Sequence, residues 1–250
     1  MASTARKTES VSAKKSTPRA TRKTVADKAT RGTQARALAT RDTILRAAIR
    51  VFSKSGFAGG RVESISKLSR THDRMIYYYF GSKERLFIEV LETIYQRMNE
   101  AEAALQIEFD DPVQALTTIV HFHWQYYLDH PELLTLLNSE NLHHGKHLKK
   151  SARVSELSSP AVSILDQVLR TGAERGLFRP DIRARDLYIA IASLGYFYLS
   201  NRYTLSSFLN ADLMDKEALA HWREFITNMV LRSVVEGQQK VVKNGAARRA

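Results

Sequence analysis

This 250-residue chain is predicted to be all-α, and three observations carry that expectation. Apolar residues recur at spacings of three and four, and no alternating strand pattern or internal repeat interrupts them. Asp111-Pro112, Asp129-His130-Pro131, Ser159-Pro160 and Leu177-Phe178-Arg179-Pro180 punctuate the sequence at helix-length intervals. Residues 61–83 divide into two short helical patterns joined by a tight turn. A trihelical head followed by a larger helical body is expected.

The elements follow in order. Residues 1–40 carry ten Lys/Arg against two acids and almost no large apolar side chain, which reads as a disordered basic arm. Thr40 is placed to cap a helix striped by Ile44, Leu45, Ala48, Val51 and Phe52, which Gly56 ends with an αL cap. Val62, Ile65 and Ser69, with Leu68 beside them, give the next helix a narrow apolar face. Ile76 and Phe80, four apart, do the same for the third. Together these helices define a head over 41–85.

Burying Ile76 and Phe80 decides what faces outward. At about 100° per residue Arg74 and Tyr78 lie opposite Ile76, with Tyr77 between the faces. Thr71, His72 and Asp73 stand at the helix start, where side chains reach base edges and free amides hold phosphate. The layout is that of a helix-turn-helix, whose second helix enters the major groove of double-stranded DNA. Ser82 is placed to cap a fourth helix with Lys83 in its first turn, a position unfavourable to a cation unless a phosphate lies nearby.

Ile-Tyr-Tyr-Tyr-Phe-Gly-Ser-Lys-Glu at 76–84 is similar to the signature of the TetR family of bacterial transcriptional repressors. The 42–60 helix with its Ser-Gly-Phe ending also matches, so the resemblance covers roughly 41–90. It implies that Tyr77, Tyr79 and Lys83 contact phosphates while residues 72–74 read bases. Arg61 and Tyr78 complete the candidate DNA-contacting set. One departure lies in the turn: Arg70, Thr71 and His72 stand where the family has a small residue, a hydrophobic one and serine.

Charge and composition narrow the classes. The formal charge of +12 divides into +8 over 1–40, +4 over the basic tail 237–250, +6 over 41–85 and −6 over 86–236. A cationic head on an acidic body favours binding a polyanion by one end. The absence of cysteine excludes disulfides, thiolate metal sites and thiol catalysis. The charged N-terminus does not read as a secretory signal, and the apolar run at 187–199 is too short to span a bilayer, so a cytoplasmic protein is expected.

The body, 86–236, is read as an effector-binding and dimerisation domain. Leu86, Val90, Ile94 and Met98 extend the fourth helix as a connector. Val113, Leu116, Val120, Trp124, Tyr127 and Leu128 stripe the next helix, and Leu133, Leu134 and Leu137 a short one. A helix from Pro160 to Gly172 or Gly176 and two more over 186–202 and 216–236 complete it. The helix at 186–202 is apolar on several sides, so it is either central or covered by a partner. The family resemblance implies a homodimer through the last two helices, with Leu187, Ile191, Leu194, Tyr198, Trp222, Phe225 and Met229 at the interface. It also implies an effector pocket beside the connector, for which Tyr95, Phe122, His123, Trp124, Tyr127, Asn138, Asn141 and Phe178 are candidates. His130-Pro131-Glu132-Leu133 and Tyr196–Thr204 resemble regulators of heterocycle catabolism, which implies a small aromatic or carboxylated effector.

Glu140, His143 and His147 have ligand-like helical spacing, but Gly145 interrupts them and Lys146, Lys149 and Lys150 would repel a cation. A solvated loop is expected there, and His121 with His123 is expected to form no site. No metal, cofactor or catalytic residue is expected, since the chain lacks a phosphate-cradling glycine loop and a nucleophile elbow. The expected function is a ligand-responsive repressor binding a pseudo-palindromic operator as a dimer. The alternatives are a sequence-indifferent nucleic-acid-binding protein and a helical enzyme.

Overall fold

The computed structural model describes residues 21–153 and 159–235, with side chains from Gly32 onward, so the tail 237–250 and residues 1–20 of the arm lie outside the described residues. The chain divides at Asp42, and the residues before it form a unit by themselves. From Thr21 that unit is helical rather than disordered, as the first part of α1 (Thr21–Gly59). Thr40 is therefore inside the helix instead of capping it, and its hydroxyl donates to the Arg36 carbonyl at 2.9 Å.

From Thr43 on, the sequence rules for helix ends are largely obeyed. Ile44, Leu45, Ala48 and Phe52 are buried as their spacing requires, while Val51 is only half-buried. Gly56 breaks α1 with φ 64° but ψ −177°, so the positive φ expected of an αL cap is present without the αL geometry. α2 spans Val62–Ser69 and α3 Asp73–Phe80. α4 runs Lys83–Ala103, and Ser82 caps it by accepting the Arg85 amide at 3.1 Å. Leu86, Val90, Ile94 and Met98 are buried along it, as expected.

In the body, α5 (Pro112–Asp129) is capped by Asp111 and α6 (Pro131–Leu142) opens on proline. A 3-10 turn at Leu148–Lys150 follows, then α7 (Pro160–Glu174), capped by Ser159. α8 covers Ala184–Ser200, α9 Arg202–Leu209 and α10 Lys216–Val234, the last capped by Asp215. The short α9 was not separable from its neighbour by apolar period. α5 is central, packed against α7, α8 and α10. Its Val113 is exposed, whereas Ala115, Leu116, Ile119, Val120, Trp124 and Tyr127 are buried. The apolar core runs without a break from Ile44 to Val234. No strand occurs among the described residues beyond an isolated antiparallel bridge between Phe178 and Val235. Phe178 also donates its amide to the Gly172 carbonyl at 3.1 Å, and its ring lies so close that a Cβ added at Gly172 would be 2.0 Å from it.

Candidate nucleic-acid interface and interior polar cluster

The α2–α3 turn is built from local hydrogen bonds. Arg70 adopts the left-handed conformation (φ 53°, ψ 39°); its amide donates to the Lys67 carbonyl and that of Thr71 to the Ser66 carbonyl. These two bonds form a Schellman C-cap, which usually places glycine at the left-handed position. Ser69 supports the turn by donating to the Ile65 carbonyl at 2.8 Å, and its hydroxyl also meets that of Thr71 at 2.8 Å. His72 occupies the N-cap of α3 without a side-chain capping bond, so the departure from serine leaves that cap unfilled.

Ile76 is fully buried and Phe80 nearly so, which anchors α3 as its spacing requires. His72, Asp73, Arg74, Tyr77 and Tyr78 face outward, Tyr77 being 51% and Tyr78 77% exposed. Thr71 is half-buried, and Arg61 is exposed at the entry of α2. Tyr79 is intermediate: it packs against the core and makes edge contacts with Tyr78 and Phe80. Lys83 is held at the first turn of α4, its Nζ 3.4 Å from the Ala58 carbonyl and 4.8 Å from the Phe57 ring. Leu68, set beside the apolar face in sequence, is 47% exposed.

Of the eight pocket candidates the structure gathers some and disperses others. His123 is buried, its Nδ1 2.9 Å from the Ile119 carbonyl and its Nε2 3.3 Å from Oε1 of Glu102, without hydrogen-bond alignment. The carbonyl can only accept, so Nδ1 carries the proton, and a bond between Nε2 and the carboxylate needs one more proton shared between them. Oε2 of Glu102 accepts from the Ser159 hydroxyl at 2.6 Å. Tyr188, Tyr127 and Phe122 each pack edge-on to His123. Burial raises the phenol pKa of Tyr95, Tyr127 and Tyr188, and Tyr126 is pushed up to about 12 by the same cause. Asn138 bonds Tyr196 and Ser200 and is exposed.

Three candidates leave the cluster. Trp124 turns to Tyr198, which stacks on Trp222 at 4.8 Å. Phe178 is core packing on Gly172, and Asn141 is exposed. Glu102, Ser159 and Tyr188 were missed. Glu102 had a legible signal: it continues the Val90, Ile94, Met98 stripe at the next four-residue step, where an acid must be buried.

The interface set is divided likewise. Leu187, Ile191 and Tyr198 point into the core of the chain and are no more than 6% exposed, and Leu194 and Trp222 are half-buried. Phe225 and Met229 remain outside, joined by Ile189 and Phe197 as exposed apolar side chains of α8 and α10. The loop expected to be solvated also differs. Glu140 is buried and accepts from the amides of His147 and Leu148 and lies 2.7 Å from Nδ1 of His147, whose ring packs on Phe57 and Phe87. His143 is instead tied to the Ser139 carbonyl. No group of side chains among the described residues is arranged to hold a metal ion.

No helix among the described residues is long and apolar enough to cross a membrane. The head matches the family model for bacterial regulatory proteins of the tetR family over residues 44–90, and the body the tetracyclin repressor-like C-terminal domain over 112–230. The HTH-type transcriptional repressor NicS of Pseudomonas putida is 55% identical over 195 residues, covering 78% of this chain and 92% of NicS. The HTH-type transcriptional repressor SCO4008 of Streptomyces coelicolor is 31% identical, over 62% of this chain and 76% of that one. The fold is similar to that of the solved Streptomyces coelicolor protein SCO4942, with TM-score 0.59 and 23% identity over 78% of this chain and 98% of that one. With the helix-turn-helix exposed as described and both family models matched, the chain belongs to the TetR family of bacterial transcriptional regulators.

Proposed function

We propose that this regulator represses transcription by binding a pseudo-palindromic operator as a homodimer and releases it when a small effector occupies the body. The observation that carries the DNA reading is α3: buried Ile76 and Phe80 leave Asp73, Arg74, Tyr77 and Tyr78 outward on one short helix. Tyr77, Tyr79 and Lys83 are assigned to phosphates, and Thr71, His72, Asp73 and Arg74 to base edges. Repression, the activity named for NicS and SCO4008, is the direction this reading adopts. The head is taken as 41–85 and the body as 86–236; the protein acts in the cytoplasm, where its DNA lies, and no catalytic role is assigned.

For the effector, the reading favours the neighbourhood of Glu102, His123, Tyr95, Tyr127 and Tyr188. A buried carboxylate there selects a ligand that offers an N–H or O–H donor, and aromatic walls suit a planar ring. A carboxylated effector would have to hold its own charge away from Glu102. Residues 1–40, with their +8 charge, are read as adding non-specific attraction.

A mobility-shift titration across salt concentrations tests the DNA assignment. Tyr77→Phe and Lys83→Ala are expected to weaken operator binding about tenfold, and Lys83→Ala to reduce the salt slope by about one. Changes at Asp73 or Arg74 are expected to alter sequence preference at a cost of about 1–3 kcal/mol per base. Equal binding by all four variants would refute it, and loss of nearly all binding on deleting 1–40 would favour a sequence-indifferent binder.

A further inference from the structure

The exposed face of α1 carries Arg46, Arg50 and Lys54 at successive four-residue steps. They do not face open solvent alone. Arg97 of α4 and the first turns of α6, at Glu132 and Thr135, close the same space into a cleft of about 460 Å³ with Ile49 in its lining. Ile49 itself is buried. The lining of the cleft thus carries four cations and one acid, Glu132, which lies 3.3 Å from Nδ1 of His130. Like charges gathered in a concavity raise the local potential, and an anion entering it relieves that repulsion. Guanidinium groups from different elements suit the oxygens of a phosphate, which several of them can hold together.

From this convergence we infer that the α1–α4–α6 cleft binds a small phosphorylated molecule carrying two or more negative charges. The site is separate from the helix-turn-helix surface of α2 and α3 and from the Glu102–His123 cluster. Its volume falls within the range of small-molecule sites and exceeds what a single phosphate fills. Its position gives it a regulatory consequence. α1 contributes Ile44 and Phe52 to the core of the head, whereas α6 belongs to the body. An anion held by both joins them and biases the angle at which α3 is presented, by its difference in affinity for the two arrangements.

Inorganic pyrophosphate is the probe, titrated into the full chain at constant ionic strength with calorimetry and thermal denaturation as readouts. The expected result is saturable binding in the wild type, at least about tenfold weaker in Arg50→Gln/Arg97→Gln. The ligand-free Tm of that variant should be no lower than that of the wild type, since neutralising two of the four cations relieves their repulsion. Arg185→Gln/Lys216→Gln, which removes the same charge from exposed positions elsewhere, should bind as the wild type does. Equal binding by all three proteins, or stabilisation by chloride at matched ionic strength to the same extent, would overturn the inference. So would a drop in operator affinity of Arg50→Gln/Arg97→Gln without pyrophosphate, which would assign the cleft to DNA. Operator binding by the unliganded wild type is scored separately, so failure here leaves the DNA reading standing.

Discussion

Arg70 bears a backbone cost that glycine would not. The left-handed conformation is unfavourable to an L side chain by roughly 1–2 kcal/mol, and the Schellman bonds at Lys67 and Ser66 hold it there. Arg70→Gly is therefore expected to stabilise the head by about 1 kcal/mol, a rise in Tm of about 2–4 °C in a domain of this size. Thermal denaturation checks it, and an unchanged or lower Tm would show that the arginine side chain outweighs the strain. At this scale the sequence was informative where one residue's neighbours are its own turn: Ser82 caps as read, and Ile76 and Phe80 are buried as spaced. It was less informative where the partner is distant in sequence. Spacing suggests a solvated loop beside Glu140, because its bonds to His147 and Leu148 depend on a fold of the chain around Gly145. Lys83 likewise finds Ala58, 25 residues away, which spacing alone does not reveal.

Apart from the first part of α1 and the short α9, the elements were legible in kind, and their faces less so. α8 is apolar around much of its circumference, so period alone gives several equivalent inward faces. Packing against α5 and α7 then chose Leu187 and Ile191 for the core and left Ile189 outside. The same ambiguity moved Trp124 and Phe178 out of the pocket candidates, since an aromatic at helical spacing fits a core as well as a ligand wall. α7 offers a direct test of one such contact. A methyl at Gly172 would lie 2.0 Å from Phe178, too close for the ring to remain in place. Gly172→Ala is expected to cost about 1–3 kcal/mol through overpacking, read by chemical denaturation. A loss below about 0.5 kcal/mol would mean that Phe178 can move aside freely.

Across the molecule, charge and apolar surface separate by function. The head is cationic and the body acidic, which was plain from composition. The apolar outer face of α10 was recognisable only in part, through Phe225 and Met229, four residues apart and both exposed. Phe225→Asp/Met229→Asp is expected to yield a monomer by sedimentation velocity and to weaken operator binding at least tenfold; a dimer of unchanged affinity would place the contact elsewhere. The buried tyrosines set an alkaline limit. Burial raises Tyr95, Tyr126, Tyr127 and Tyr188 above their ordinary value of 10.0, Tyr126 to about 12. Above pH 10 the native state keeps protons that the unfolded chain releases, so stability falls as pH rises. A Tm series from pH 8 to 11.5 should decline beyond pH 10, less steeply in Tyr127→Phe, and a flat series would contradict the burial of these phenols. The stretch after α6 leans on α4 at three levels, through Lys150 to Glu84 at 2.6 Å, Ser151 to Glu92 at 2.5 Å and Arg153 to Gln96 at 3.2 Å. Those rungs reach from Glu84 to Gln96 along the connector, more than three turns. The connector is thus splinted along its flank, and any swivel that repositions the reading helix must either shear those rungs one by one or drag the splint with it.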